Sequence, residues 1–189
     1  SFVDGNRSVV IISSSASLMN YSQKSVFMWV KSTADDNGDL FSNGYWTSPY
    51  GDLISQNTSQ KVTIYVKNTS GTVQNGTINL PLNTWTFIGY TWDGTNVHYY
   101  ENGQEGTTPK GFTGTLSGTG APAYIGNRGA LIGTAAPTAN IDDVRVYNRA
   151  LSVDEVSQLY ALGVVVAPSP TLVNGSCGTT VNSCTAGTL

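Results

Sequence analysis

The stretch from Trp85 to Gly103 contains two runs of alternating residues separated by Asp93-Gly94. An Asp-Gly pair between two such runs is typical of a tight β-hairpin. Large apolar side chains fall on both faces of the first run, which is typical of a central strand in a two-sheet protein. One face carries Trp85, Phe87, Gly89 and Thr91, and the other carries Thr86, Ile88, Tyr90 and Trp92.

Other segments repeat this alternation and extend the prediction to an all-β chain. In 25–31, Val26 and Met28 alternate with Phe27 and Trp29, so this segment is also predicted to have two apolar faces. Further predicted strands cover 2–12, 40–42, 53–56, 61–67, 72–73, 77–80, a short segment near Phe112, 124–127 and 141–147.

One helix is predicted near the C-terminal end. Ser152 and Glu155 have the spacing of a capping box, and Leu151 and Val156 that of a hydrophobic staple. Gly163 is expected to terminate the helix. We expect this helix to dock on the sandwich and seal one end of it.

Two sequence blocks carry a family resemblance. W-T-F-I-G-Y-T-W-D-G-T-N-V-H-Y-Y-E-N-G at 85–103 resembles the central hairpin of the laminin-G-like, concanavalin A-like jelly rolls, and I-D-D-V-R-V-Y-N-R-A-L at 141–151 resembles their closing strand. The likeness covers roughly residues 2–162. It implies an antiparallel two-sheet β-sandwich of the concanavalin A-like jelly-roll kind, with one short C-terminal helix.

The sequence divides into a predicted jelly-roll domain, 1–163, and a tail, 164–189. The tail has no charged or aromatic residue and includes Ala-Pro-Ser-Pro at 167–170, so we expect a linker or the start of a following module. The chain begins without Met, and we expect a processed or excised fragment.

Composition narrows the possible partners. The 189 residues include 21 Gly, only 11% are charged, and the net charge is −3 with no basic run, which argues against nucleic-acid binding. No segment approaches the ~20 apolar residues of a membrane span. Cys177 and Cys184 favour a disulfide or free thiols over a metal site, because no His or further Cys accompanies them.

The resemblance also implies a structural calcium ion. In these jelly rolls Ca²⁺ often ties the first strand to the closing strand, which carries over to Asp142 as the main ligand and Asp4 or a nearby carbonyl as its partner. The alternative is that Asp142 and Asp143 cap a strand and bond to the backbone or to Arg145.

A catalytic site has little support in the sequence. Related jelly-roll hydrolases carry E-x-D-x-x-E, which places two carboxylates at the separation that retaining chemistry needs. The three glutamates here, Glu101, Glu105 and Glu155, form no such motif. Glu101 either lines a groove or lies at a strand end in water, and His98 is expected to be a surface imidazole.

The candidate ligand site is an aromatic loop. Tyr45, Trp46 and Tyr50 lie between Asn43 and Asp52, where rings can stack on the apolar face of a sugar while the amide and carboxylate take its hydroxyls. The alternative is that these rings fold inward and plug the sandwich.

Three functions therefore remain open, because this fold hosts all of them. The sequence favours a non-catalytic carbohydrate-binding module of a secreted or cell-surface multidomain protein, with a glycan or a cell-surface protein as partner. The alternatives are a structural or adhesive surface domain without a small ligand, and a glycoside hydrolase or lyase with an unrecognised site.

Overall fold

The computed structural model describes residues 9–13, 21–43, 51–70, 72–106, 108–116, 122–128 and 136–164. Within them the chain forms two antiparallel β-sheets packed face to face, with one helix outside. The predicted β-sandwich with a short C-terminal helix is therefore confirmed. Residues 2–8 of the first predicted strand, both cysteines and the tail from residue 165 lie outside the described ranges.

The first sheet, which we call the front sheet, has neighbouring strands in the order β1 (Val10–Ile12), β11 (Ala123–Ile125), β3 (Gly38–Asn43), β4 (Asp52–Asn57), β5 (Lys61–Lys67) and β6 (Val73–Asn79). The second, the back sheet, has the order β10 (Lys110–Gly111), β8 (Asn96–Glu101), β7 (Thr86–Trp92), β2 (Lys24–Ser32) and β12 (Ala139–Tyr147), with β9 (Gln104–Glu105) paired to β8.

The predicted hairpin forms the centre of the back sheet. β7 lies between β2 and β8, and all seven of its residues are buried. The Asp93 carboxylate closes the turn, because its Oδ1 accepts bonds from the backbone N–H groups of Thr95 and Asn96, both at 2.7 Å. Burial works to raise the pKa of Asp93, but these hydrogen bonds outweigh it and hold that pKa at about 2.

The main core lies between the two sheets. Alternate residues of β2, β5 and β7 supply it, which is what the period of two in their sequences predicts. The fully buried members include Val26, Met28, Val62, Ile64, Ile88, Tyr90 and Trp92.

A second apolar cluster explains the other face of β2 and β7. The rings of Phe27 and Phe87 stack there with centroids 5.3 Å apart, on the outer side of the back sheet. The helix, α1 (Val153–Val164), covers them with Val156 and Leu159. The helix therefore packs on the outer face of the back sheet, and our expectation that it seals one end of the sandwich was wrong. The reason is that the outer face is apolar, and the apolar side chains of the helix bury it.

The start of α1 matches its sequence signature. The Ser152 N–H donates to Glu155 Oε2 (2.9 Å), and the Glu155 N–H donates to Ser152 Oγ (3.2 Å). This reciprocal pair is the predicted capping box. Leu151 and Val156 are both buried, as the predicted staple requires.

Gly163 does not terminate the helix, which continues through Val164. A Cβ added at Gly163 would overlap the Nε1 and Cε2 atoms of the Trp29 indole. The glycine is thus explained by close approach of the last helical turn to Trp29 rather than by a left-handed cap.

A second correction concerns 72–80, where two short strands were predicted. The structure has one continuous strand, β6, because Gln74, Asn75 and Gly76 remain paired with β5. Gly76 breaks the apolar alternation but is required there, since an added Cβ would lie 2.5 Å from the Tyr99 ring.

Candidate functional site

The aromatic loop of the predicted site joins two neighbouring strands of the front sheet. Asn43 ends β3 and Asp52 begins β4, and the two residues are directly paired. The residues between them, including Tyr45, Trp46 and Tyr50, lie outside the described ranges. The two residues that flank the loop in the sequence are buried, with Asn43 and Asp52 each only 2% exposed.

Asp52 is held by a buried network that crosses the core. Its Oδ1 accepts from Lys24 Nζ (2.6 Å) and its Oδ2 from the Tyr90 hydroxyl (2.8 Å). Lys24 and Tyr90 belong to the back sheet and Asp52 to the front sheet, so the network links the two layers. Both carboxylate oxygens already have partners, and direct contact of Asn43 or Asp52 with a ligand stays a prediction.

The surroundings of this ion pair are aromatic. Lys24 Nζ lies 5.0 Å from the centroid of the Tyr21 ring and 5.9 Å from that of Phe41. Such ring faces attract a cation that has lost its water. Burial, reinforced by the negative charge of Asp52, raises the pKa of Tyr90 well above its ordinary value, so this hydroxyl stays a donor.

Each of the three glutamates bonds to a different protein group. Glu101 Oε2 accepts from the backbone N–H (3.1 Å) and side-chain amide (3.2 Å) of Asn79. Glu105 Oε1 lies 2.9 Å from Nδ1 of His98. The His98 imidazole lies on β8 and is partly exposed. Glu155 belongs to the capping box.

Asp142 lies at an irregularity in β12. It pairs with Trp29, but Arg145 pairs with Phe27, so an extra residue bulges between them. Asp142 Oδ1 accepts from the Asp143 N–H (2.8 Å), and Asp143 Oδ1 accepts from Arg145 Nε (2.7 Å).

These contacts bear on the predicted calcium site. They are the backbone and arginine contacts expected for the alternative in which the aspartates only cap a strand. The other proposed ligand, Asp4, is outside the described ranges, and no three His, Cys, Asp or Glu side chains within those ranges are grouped to hold a metal ion. A calcium ion at Asp142 stays a prediction.

A pocket of about 370 Å³ lies beside this bulge, lined by Trp29, Trp85, Asp142, Asp143 and Gly163. The alternation predicted Trp85 to be part of the first strand of the hairpin, on the same face as Phe87. The residue instead precedes β7 by one position and is 43% exposed. The preceding segment, Pro81-Leu82-Asn83-Thr84, forms a turn that continues up to Trp85. This turn is the signal that could have indicated that the strand begins after Trp85.

A family model for the concanavalin A-like lectin/glucanases superfamily matches residues 4–157, which is most of the chain. The chain belongs to this superfamily. The resemblance of the two sequence blocks to concanavalin A-like jelly rolls is therefore confirmed. Membership fixes the architecture and leaves the ligand open, because the superfamily includes both lectins and glucanases.

Several solved structures share the fold of this concanavalin A-like chain. The binding domain of Paraclostridial Mosquitocidal Protein 1 is 18% identical with a TM-score of 0.66, over 81% of this chain and 40% of that one. The ligand binding domain of botulinum neurotoxin serotype D, in complex with N-acetylneuraminic acid, is 12% identical with a TM-score of 0.66, over 83% and 40%. The SAP-like pentraxin of Limulus polyphemus is 17% identical with a TM-score of 0.60, over 80% of each chain.

The chain thus spans about 40% of the two toxin domains it matches. A comparison with curated proteins finds no match. The only helix that the described ranges contain is too short to cross a membrane.

Proposed function

We propose that this chain is a non-catalytic glycan-binding module of a secreted or cell-surface protein, and that the loop between Asn43 and Asp52 makes the contact. The observation that carries the proposal is the buried Lys24–Asp52–Tyr90 network. It fixes the base of an aromatic loop to both sheets, and a rigid base lets rings stack without a large loss of entropy on binding.

Two further observations support a binding role over a catalytic one. The fold neighbours named above are called binding domains in the two toxins, and one of these structures contains N-acetylneuraminic acid. The carboxylates of Glu101, Glu105 and Glu155 are each engaged by a different partner, namely Asn79, His98 and Arg149 respectively. A retaining glycosidase needs two carboxyl groups about 5–5.5 Å apart across one substrate bond.

Replacing Trp46 with alanine should weaken retention on the bound glycan. Loss of one stacked ring costs about 1–3 kcal/mol by comparison with burying an aromatic side chain, which corresponds to roughly 5- to 150-fold in affinity. The test is a glycan array probed with the purified chain, followed by titration of the retained glycan. Trp46→Phe is the matched control, because it keeps a ring that can stack.

Equal retention by the wild-type chain and Trp46→Ala would contradict the proposal that this loop contacts the glycan. Absence of retention on every glycan would leave the alternative of an adhesive surface domain without a small ligand.

A further inference from the structure

The pocket beside the β12 bulge has a rigid aromatic floor. The Trp29 indole stacks on Tyr160 with centroids 5.5 Å apart and packs against Phe87 at 5.3 Å. The last turn of α1 rests directly on this indole, because Gly163 has no side chain to hold it away. The Trp29 indole is therefore held in place by Tyr160, Phe87 and the last turn of α1.

One wall of the pocket is the exposed indole of Trp85. Its residue is 43% exposed although its chain neighbours Thr86 and Phe87 are buried. An indole that is not needed for the core but lines a concave surface offers a flat apolar face to a ligand.

The opposite wall carries carboxylates that the bulge turns outward. Asp143 has a φ of 48°, a left-handed conformation that Asp tolerates better than most residues, and its Oδ1 is engaged by Arg145 Nε. Asp142 is exposed, and only its Oδ1 has a hydrogen bond from a described residue, the Asp143 N–H. No described residue donates to its Oδ2, so this oxygen can accept a hydrogen bond from a ligand in the pocket.

An apolar face beside a hydrogen-bond acceptor fits a pyranose ring. One side of such a ring presents C–H groups that stack on an indole, and its hydroxyls donate to a carboxylate. A cationic ligand would favour several open aromatic faces. Tyr160 stacks on one face of Trp29, and Trp85 is the more exposed of the two indoles in the pocket. The volume of about 370 Å³ is at the small end of ligand pockets, which run from about 300 to 1,000 Å³.

We propose that this pocket is a second glycan-contact site, which takes one pyranose ring between Trp85 and Asp142. The inference rests on the proposed function, since it assumes a glycan ligand. It is separate from Asp52, at which the aromatic loop ends: Lys24, which bonds to Asp52, and Trp29, in the pocket, are five residues apart on β2, or about 17 Å along an extended strand. Two such contacts on one module strengthen retention on a polysaccharide that reaches both.

The test is a titration of the full chain, followed by two-dimensional ¹⁵N–¹H NMR, with the methyl glycosides of glucose, galactose, mannose and N-acetylglucosamine. Concentrations should reach about 50 mM, because a single stacked ring gives an affinity near the millimolar range. We expect the Trp85 Nε1–H signal and the amides of Asp142 and Gly163 to shift with at least one glycoside. Tetramethylammonium, titrated separately, serves as the cation probe.

Substitutions of the lining residues test whether the glycoside binds in this pocket. Trp85→Ala should lower the affinity at least tenfold and Asp142→Asn at least fivefold. Asp154→Asn, at an exposed acid in the first turn of α1, should leave this titration unchanged. Asp142→Asn alters no packing in the pocket floor, so it carries the test if Trp85→Ala lowers the melting temperature.

Glycoside shifts that persist in Trp85→Ala, or a response to tetramethylammonium alone, would overturn the second site. If array retention then depends on Trp46, the proposed function stands without it. Retention that depends on Trp85 and not on Trp46 supports the pocket and rejects the loop as the contact. No response to any glycoside, together with a silent array, would reject both proposals.

Discussion

Replacing Asp52 with alanine should lower the free energy of unfolding by about 3–5 kcal/mol, because it leaves the Lys24 ammonium buried without its counter-ion. Both side chains of the pair are 1% exposed, so water cannot take the place of the lost carboxylate. The Tyr90 hydroxyl loses its acceptor in the same change. At about 2–4 °C per kcal/mol for a chain of this size, thermal unfolding should show a drop of roughly 10 °C.

A double variant separates the unpaired charge from other effects. In Lys24→Met with Asp52→Asn, no buried charge remains and the amide oxygen can still accept from Tyr90, so most of the lost stability should return. Glu155→Gln removes a carboxylate from an ion pair in which both side chains are largely exposed, and it should leave the melting temperature almost unchanged. A melting temperature for Asp52→Ala equal to that of the wild-type chain would contradict the buried network.

Gly89→Ala should destabilise the chain by about 3 kcal/mol or more, at the upper end of the usual cost of overpacking. Gly89 pairs with Phe27 on one side and Tyr100 on the other, in the centre of the back sheet. An added Cβ would overlap the Val26 carbonyl oxygen and the Phe27 ring. The carbonyl is backbone, so the clash is relieved only by moving β2 away from β7. Urea unfolding measures the loss.

Gly111 provides a matched control for this substitution. It also lies in a strand of the back sheet, but an added Cβ there meets no atom within 4 Å. Gly111→Ala should be neutral or slightly stabilising, because alanine restricts the unfolded chain more than glycine does. Equal unfolding free energies for the two variants would contradict the close packing of β7 on β2.

Local signals in the sequence predicted much of this fold. The Asp93-Gly94 turn and the Ser152–Glu155 capping box depend on neighbours within a few residues, and both form as expected. The two apolar faces of β2 and β7 were also visible in the alternation. The alternation did not show what each face packs against. In the structure, α1 packs on the outer face.

Contacts between residues that are far apart in the chain could not be predicted from the sequence. The bond between Asp52 and Lys24 could not be predicted, because Lys24 lies 28 positions away and does not affect the pattern around Asp52. Gly163 resembled a helix stop, since its contact with Trp29 exists only after the helix has docked. Trp85 was predicted to lie in the strand, on the same face as Phe87; the strand begins one residue later, and Trp85 is 43% exposed.

The most direct test of a non-catalytic glycan-binding module is to measure retention and bond cleavage on the same polysaccharide with the purified chain. We predict retention that Trp46→Ala weakens, and no reducing ends released above the level of a heat-denatured control during prolonged incubation. Release of reducing ends by the wild-type chain that disappears in Glu101→Gln would contradict this account, because it would make the chain a hydrolase that uses Glu101.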